Sequence, residues 1–292
     1  MSKVLLTGAT GFLGSHLLKG LLQKTDFEIV VLKRSFSNCS RIEKNQSSRI
    51  KFYNIDETNL GKIFEENKLE SIIHCATNYG RNDENIVNIV QSNLVLPLEL
   101  LQLCAVHEVK NFINTDTVID KKISHYSLSK SHFKDWLREF SVKIKCININ
   151  LEHFYGPFDN DTKFTSNIIR SLIKKVEKLD LTDGLQRRSF IYIDDVVDAF
   201  ITILSNINNI KDLFNNFDVG AIKNISIQDF VLLTKKLTNN IETKLNFGAL
   251  PHRPNEIMEI KIDTSSLQAL GWFPKIMIEE GLKLTINKEL NQ

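Results

Sequence analysis

The run Gly8-Ala9-Thr10-Gly11-Phe12-Leu13-Gly14 spaces three glycines three residues apart. It stands directly behind the aliphatic stretch Lys3–Thr7 and opens Phe12–Gln23, where Phe12, Leu13, Leu17 and Leu21 recur at helical spacing. A strand that passes into a helix through glycine makes a tight turn whose backbone a ligand can approach closely. The helix N-terminus then offers free N–H groups to a pyrophosphate. The glycine spacing alone is weak; its place between a first strand and a first helix gives it meaning. It predicts a dinucleotide-binding turn lined by Gly8, Thr10, Gly11, Phe12, Leu13 and Gly14.

The first half continues to alternate. Strands are predicted at Lys3–Thr7, Glu28–Leu32, Ile50–Ile55, Ser71–His74, Lys110–Asn114 and Lys145–Asn150, with helices at Phe12–Gln23, Leu60–Glu66, Val87–Ala105 and Tyr126–Phe140. Pro97 should kink the third helix or restart it near Asn93. Six strands so connected make an α/β fold, a doubly wound parallel Rossmann sheet. Beyond Gly156-Pro157 the rhythm changes. Phe190–Leu204 reads as a strand leading into a helix that returns to the first domain, and the asparagine-rich patches Asn206–Asn209 and Asn215–Asn216 read as loops. The expected division is 1–157 with about 190–220 as the dinucleotide-binding domain, and about 158–189 with 221–292 as a smaller mixed C-terminal substrate lobe. A lobe assembled from separate pieces usually leaves a cleft, and clefts bind small ligands.

Composition narrows the function classes. The 292 residues carry 37 Lys and Arg against 35 Asp and Glu, a formal charge of +2. No long run of one sign suits a nucleic-acid backbone or an anionic membrane. No secretory leader opens the chain, and no stretch of about 18 apolar residues is expected to span a bilayer. Cys39, Cys75, Cys104 and Cys146 lie far apart without a Cys-x-x-Cys pair, so neither a disulfide framework nor a metal site is expected. The expected protein is soluble, cytoplasmic and free of metal.

Two ends of the first domain carry chemistry. After the second strand stand Lys33, Arg34 and Ser35, with no carboxylate at the point where one would bond an adenosine ribose; Arg34 suits a 2′-phosphate, so NADPH is expected over NADH. Asn54 or Asp56 would meet the adenine edge. At the other end, Tyr126-Ser127-Leu128-Ser129-Lys130 sets phenol and ammonium one helical turn apart on one face. A nearby cation should lower the phenol from its usual pKa of about 10 toward an acid–base range. Thr115, at the carboxyl edge of the fifth strand, points a hydroxyl toward the same place.

These ordered motifs resemble the extended short-chain dehydrogenase/reductases that act on nucleotide sugars, the NAD-dependent epimerase/dehydratase family. The resemblance runs on through His74-Cys75-Ala76-Thr77, Asn93, Phe154-Tyr155-Gly156-Pro157, Gln186–Val196, Arg253-Pro254-Asn255-Glu256 and Leu270–Pro274. It implies that Tyr126 is the catalytic tyrosine, that Lys130 also holds the nicotinamide ribose, and that Thr115 bonds the reacting sugar oxygen. It implies further cofactor contacts at Ile55, Ala76 and Asn93, diphosphate contacts at Arg188 and Arg253, and substrate contacts at Thr77, Asp116 and Glu256. Glu152 and His153 depart from the family pattern; either contacts substrate, or His153 is a buried histidine satisfied by backbone. Asp116 is followed by Thr117 where dehydratases carry a glutamate, which disfavours dehydration.

Within the family the chain is most similar to reductases of CDP-linked 4-keto-6-deoxyhexoses. The expected reaction is therefore NADPH-dependent reduction of the C4 keto group of a nucleotide sugar, in deoxysugar biosynthesis for surface polysaccharide. The alternatives are an epimerase with tightly bound NAD and a dinucleotide-binding protein without catalysis. By analogy, the helices Leu94–Val106 and Tyr126–Phe140 would pair two copies as a homodimer.

Overall fold

The computed structural model describes residues 2–43, 47–81, 84–253 and 256–291. In chain order the elements are β1 (Lys3–Thr7), α1 (Phe12–Lys24), β2 (Glu28–Lys33), β3 (Ile50–Asn54), α2 (Leu60–Glu66), β4 (Leu69–His74), α3 (Ile86–Val90), a π-helical turn (Gln91–Val95), α4 (Leu96–Val106), β5 (Asn111–Thr117), α5 (His125–Phe140) and β6 (Lys145–Leu151). There follow β7 (Phe154–Tyr155), α6 (Phe164–Ile173), β8 (Lys178–Asp180), β9 (Arg187–Arg188), β10 (Ile191–Tyr192), α7 (Ile193–Ser205), β11 (Phe214–Val219), β12 (Ile225–Ser226), α8 (Ile227–Leu237), β13 (Lys244–Asn246), α9 (Ser265–Gln268) and α10 (Ile278–Leu290).

The main sheet has seven strands in the order β11-β6-β5-β4-β1-β2-β3, and β1 to β6 pair in parallel. The seventh strand corrects the sequence reading, which left Asn215–Asn216 in a loop. Asparagine pairs favour turns, but here Phe217 and Val219 lie on one face of the strand and are buried, while Asn216 and Asp218 share the other face with Phe214. β5 also runs further than expected, to Thr117, because Thr115, Asp116 and Thr117 pair with Ile149, Asn150 and Leu151 of β6. Both faces of the sheet are covered. Leu5, Ile72, Phe112 and Cys146 meet Leu100, Leu101, Cys104, Phe133 and Leu137 of α4 and α5 in one core. Val4, Leu6, Ile29 and Val31 are buried as well, as are Leu17, Leu18 and Leu21 of α1.

Pro97 acts as expected, by a particular route. It sits in the first turn of α4, immediately after the π-turn. Proline can donate no hydrogen bond to Asn93 four residues earlier and its ring crowds that carbonyl, so a widened turn relieves both problems. The whole helical run Ile86–Val106 is 21 residues and, by length and composition alone, could cross a membrane. That qualifies the expectation that no stretch could. In this fold its Leu100, Leu101 and Cys104 belong to the core.

The chain forms two compact units: Met1–Leu151 with Val197–Asp218 and Ala269–Gly271, and Glu152–Val196 with Val219–Gln268 and Trp272–Gln292. In the second unit three short strand pairs, β7 with β10, β9 with β12 and β8 with β13, replace a continuous sheet. Phe230 of α8 stacks on Phe190 at 4.3 Å, and the buried Asp195 carboxylate accepts from the backbone of Lys275 and Ile276.

The glycine turn is sterically fixed. Gly8 has a φ of +72°, and a Cβ there would lie 2.6 Å from the Ala76 nitrogen. A Cβ on Gly14 would come 2.1 Å from the Gly8 carbonyl oxygen, so the first turn of α1 and the end of β1 touch backbone to backbone. Gly14→Ala should therefore lower the unfolding free energy by about 1–3 kcal/mol, read from urea denaturation. Gly61→Ala is the contrast. Its nearest neighbour is the movable Asn59 side chain, and alanine in a helix should change stability by less than about 1 kcal/mol.

Candidate active site

The end of β1 forms a cradle for an anion. Gly11 caps α1 in extended conformation with no side chain bonded to the first turn, and its own N–H turns back to the Gly8 carbonyl at 2.9 Å. Amides at the start of α1 thus remain for a ligand, and the space above Gly8 and Gly14 is space a side chain would fill. Both features fit the pyrophosphate of a dinucleotide. Phe12 and Leu13 are buried in the first helical turn and Thr10 is half-buried in the loop. Ala76, across from Gly8, donates its N–H to Thr7 Oγ1 at 3.1 Å.

At the end of β2 the structure corrects the expectation of no carboxylate. Asp56, just past β3, accepts from Ser35 N at 2.8 Å and from Ser35 Oγ at 2.5 Å. These bonds from Ser35, with Lys33 adding its charge, hold the Asp56 carboxyl below its usual range. Lys33 Nζ donates to Asn54 Oδ1 at 2.7 Å, and the Arg34 guanidinium lies 4.8 Å over the exposed Phe36 ring. Asn54 also donates to Glu57, and Ile55 N bonds the Lys33 carbonyl. The strand end therefore carries cations and a carboxylate together. Sequence reading set Asp56 at the adenine edge, and its bonds to Ser35 arise only because the two strands lie side by side.

Tyr126 and Lys130 are fixed by the start of α5. Ser124 and Ser127 cap it reciprocally, Ser127 N to Ser124 Oγ at 3.1 Å and Ser124 N to Ser127 Oγ at 3.2 Å. Lys130 is 1% exposed, and its Nζ donates to the Thr115 carbonyl at 2.8 Å. Thr115 is buried and gives its hydroxyl hydrogen to the His74 carbonyl at 3.0 Å. Lys130 and Thr115 are thus in direct contact, and Tyr126 stands one turn earlier on α5. Asn93 is fully buried and ties the neighbourhood together: its Oδ1 accepts from Thr77 Oγ1 and Asn78 N, and its Nδ2 donates to the Asn78 carbonyl and Ser129 Oγ.

The electrostatics differ from the sequence expectation. Burial pushes the Tyr126 phenol well above its usual pKa, helped by Tyr79 and the Asp116 carboxylate; a hydrogen bond with Thr117 and the charge of Arg81 oppose this. The expected lowering by Lys130 is absent among the causes, because the ammonium is turned to the Thr115 carbonyl. Lys130 itself is drawn down to about 8 by burial, against the opposing pull of Asp116. His74 is held neutral by burial. Thr7 Oγ1 accepts from the backbone of Cys75 and Ala76, so its own hydrogen goes to His74 Nδ1 and the ring hydrogen sits on Nε2.

Sequence reasoning missed Tyr79, Thr117 and Ser129. Tyr79 stacks on Tyr126 with centroids 5.0 Å apart, and Arg81 lies over Tyr79. Nothing in their local pattern marked them.

Of the remaining expected residues, all but Asp116 lie in the second unit. Arg188 is buried and already paired: its NH2 is 2.6 Å from Glu256 Oε1, and its NH1 donates to the Arg187 carbonyl. Glu256 was expected as a substrate contact in its own right. Arg253 is exposed, and Pro254 and Asn255 of its motif lie outside the described residues. Glu152 is buried, with Oε2 accepting from Ser189 N at 3.1 Å and Oε1 standing 3.6 Å from His153 Nδ1. His153 packs edge-on to Phe190 and bonds Ile191 through its backbone carbonyl. Asp116 belongs to the first unit, beside Lys130.

Comparison with known proteins agrees with this arrangement. Residues 4–220 match the model of the NAD dependent epimerase/dehydratase family. The chain is 36% identical over 295 residues to CDP-abequose synthase of Salmonella muenchen, covering 96% of each chain, and 33% identical over 293 residues to CDP-abequose synthase of Salmonella typhimurium, again with 96% of each covered. Among solved structures, UDP-glucose 4-epimerase of Thermotoga maritima with UDP-glucose superposes with a TM-score of 0.86 over 99% of both chains, at 22% identity, which speaks for the fold alone. On the strength of its glycine turn, its Tyr126/Lys130 helix and these matches, the chain belongs to the NAD dependent epimerase/dehydratase family.

Proposed function

We propose that this protein is an enzyme of nucleotide-sugar metabolism that reduces the C4 keto group of a nucleotide-linked 4-keto-6-deoxyhexose with NADPH. The near-full-length likeness to CDP-abequose synthase, at 36% identity, carries this reading, and the Tyr126 phenol, which burial, Tyr79 and Asp116 keep protonated, can give the proton that reduction needs. The likeness to the two Salmonella CDP-abequose synthases supports a CDP-linked substrate and a place in deoxysugar biosynthesis for surface polysaccharide. Four free cysteines support the cytoplasm as its compartment.

The dinucleotide, when bound, supplies the hydride that C4 receives. The amides around Gly11, Phe12 and Leu13 would hold its pyrophosphate, and Arg34 its 2′-phosphate. As negative charge grows on the carbonyl oxygen, Tyr126 gives that oxygen its phenolic proton. Thr115 swings its hydroxyl hydrogen from the His74 carbonyl to the same oxygen. Lys130 has two hydrogens beyond the one on the Thr115 carbonyl, enough to hold the nicotinamide ribose and to lend positive charge to the proton transfer. Ketone, hydride and proton together give the secondary alcohol. Arg188 would exchange its bond to Glu256 for the nucleotide diphosphate. Thr77, Glu152, His153 and Arg253 complete the proposed sugar-nucleotide contacts.

A second reading, an epimerase with tightly held NAD, is favoured by Asp56, whose carboxylate at the end of β2 suits an unphosphorylated ribose. A panel of nucleotide-linked 4-ketosugars with NADPH or NADH separates the two. The reductase reading expects stoichiometric loss of nicotinamide absorbance with a CDP-linked ketosugar and a C4 alcohol by NMR. Epimerisation of an unreduced sugar without net loss of absorbance would replace it.

Three substitutions sharpen the reading. Tyr126→Phe should cut kcat by about 100-fold or more while nucleotide binding by calorimetry stays within about twofold. Near-normal turnover would remove Tyr126 as the proton donor. Arg34→Ala should raise KM for NADPH by about tenfold and leave KM for NADH nearly unchanged; equal effects would argue for Asp56 and NAD. Val106, Leu128 and Trp136 on α4 and α5 are exposed apolar residues, and we assign them to a homodimer face. Trp136→Lys should then convert a dimer to a monomer in light scattering.

A further inference from the structure

Three neighbouring strands each carry polar residues at two alternate positions near their ends: Asn114 and Asp116 on β5, Asn148 and Asn150 on β6, Asn216 and Asp218 on β11. The two-residue period puts each pair on one face of its strand, and the register sets Asn114 beside Asn148 and Asp116 beside Asn150. The side chains are joined. Asn114 Nδ2 donates to Asn148 Oδ1 at 2.8 Å. Asn148 Nδ2 reaches Asp116 Oδ2 at 2.9 Å, Asn150 Oδ1 at 3.0 Å and Asn216 Oδ1 at 2.9 Å. Asn150 Nδ2 continues to Asp218 Oδ1 at 2.7 Å.

This network occupies an expensive place. Asn114 and Asn148 are fully buried, Asp116 and Asn150 nearly so, and further down the same face Phe112 and Cys146 pack in the apolar core. Apolar residues would cover the sheet at lower cost. Asn114 Oδ1 even lacks a hydrogen-bond partner among the described residues. What the network reaches, and an apolar face would not, is Asp116. Both oxygens of that carboxylate are held, one by Asn148 Nδ2 and the other by Thr117 N at 2.8 Å.

We propose that this amide ladder, with Asn148 at its centre, is a positioning device for proton transfer: it fixes the Asp116 carboxylate as the counter-ion of Lys130. The inference rests on the proposed roles of Lys130 and Tyr126 and deepens them. Around Lys130 stand the Thr115 carbonyl, which accepts from its Nζ, and Asp116, whose side chain shares with Phe112 the face of β5 that packs on Phe133 of α5; His74 and Cys75 come from the end of β4 and the residue after it, and Tyr126 precedes Lys130 by one turn. Burial keeps His74 neutral and pushes the Cys75 thiol up to about 12, so neither supplies charge near neutral pH. Tyr126 stays protonated as well. Asp116 is the anion of this set, and it opposes the burial that draws Lys130 down to about 8. An Asp116 free to turn away would leave the ammonium less supported. The lysine would then lose its charge at lower pH, and turnover would fail earlier on the alkaline side.

The test reads Lys130 directly. NMR of the 15N-labelled lysine side chains across a pH series, with the Lys130 signal assigned by its loss in K130R, gives its ionisation midpoint in the full chain without dinucleotide or sugar. The unaltered protein should show a midpoint near 8. N148V and D116N should each lower it by about one pH unit or more, and the double variant no further than D116N, because Asn148 acts through Asp116. N148T, equal in shape to N148V but with a hydroxyl donor, should restore most of the difference. A midpoint unmoved by N148V, equal in N148V and N148T, or lowered further in the double variant would overturn the ladder's role.

Should N148V fail to fold, the Asn148 side-chain amide of the unaltered protein should shift in NMR with the Lys130 midpoint and lose that response in D116N. An amide blind to the titration would equally overturn the proposal. Because the titration needs no turnover, a ladder that behaves as expected in a protein inactive on ketosugars would sink the reductase reading alone.

Discussion

Lys130 buries an ammonium at the end of a parallel sheet, and the rest of the site is arranged around that cost. A buried cation needs donors met and charge balanced, or it loses its proton. The Thr115 carbonyl meets one hydrogen and Asp116 supplies the opposing charge. Both come from β5 only because that strand stays paired with β6 as far as Thr117. A strand ending at Asn114 would leave Thr115 and Asp116 in a loop, and Lys130 facing groups with no fixed position.

The helix bearing Lys130 is located with similar care. Its N-terminus is set by the Ser124/Ser127 capping box, and its first turn is tied through Ser129 to Asn93. Asn93 sits in the π-turn before Pro97, so the helix irregularity and the polar anchor share one origin. Widening the turn relieves the proline and leaves the Asn93 amide within reach of Thr77, Asn78 and Ser129 at once. The segment after β4 and the start of α5 are thereby held by one buried side chain. That segment also carries Tyr79, which stacks on Tyr126.

What could be read in the sequence was what depends on near neighbours. The glycine turn was legible because backbone crowding between Gly8 and Gly14 is a local steric fact. The Tyr126/Lys130 spacing was legible because a helix has a fixed period. What could not be read shares the opposite property. Asp56 reaches Ser35 from another strand, and Arg188 meets Glu256 from 68 residues away. The phenol was expected to feel Lys130, its neighbour in sequence, yet it is governed by burial, helped by Tyr79 and Asp116, which other elements bring to it. β11 was lost because asparagine signals a turn when isolated. Here its polar side joins a ladder of partners on β6, and that meaning exists only once the strands are side by side. The polar-x-polar repeat in three strands was the available signal.

A common design links the two units. Each proposed ligand-facing cation already has an internal partner: Lys130 the Thr115 carbonyl and the field of Asp116, Arg188 the Glu256 carboxylate and two backbone carbonyls. A buried cation left bare would cost several kcal/mol, so the fold itself has to balance each of them. Binding a nucleotide sugar then becomes an exchange of one set of charge-assisted hydrogen bonds for another. The net affinity is the difference between them, and the geometry of the donors is settled before the ligand arrives. Preorganised cations of this kind favour the state in which charge is greatest. In the reaction proposed, that state is the transition state, when the carbonyl oxygen carries developing charge that neither substrate nor product retains.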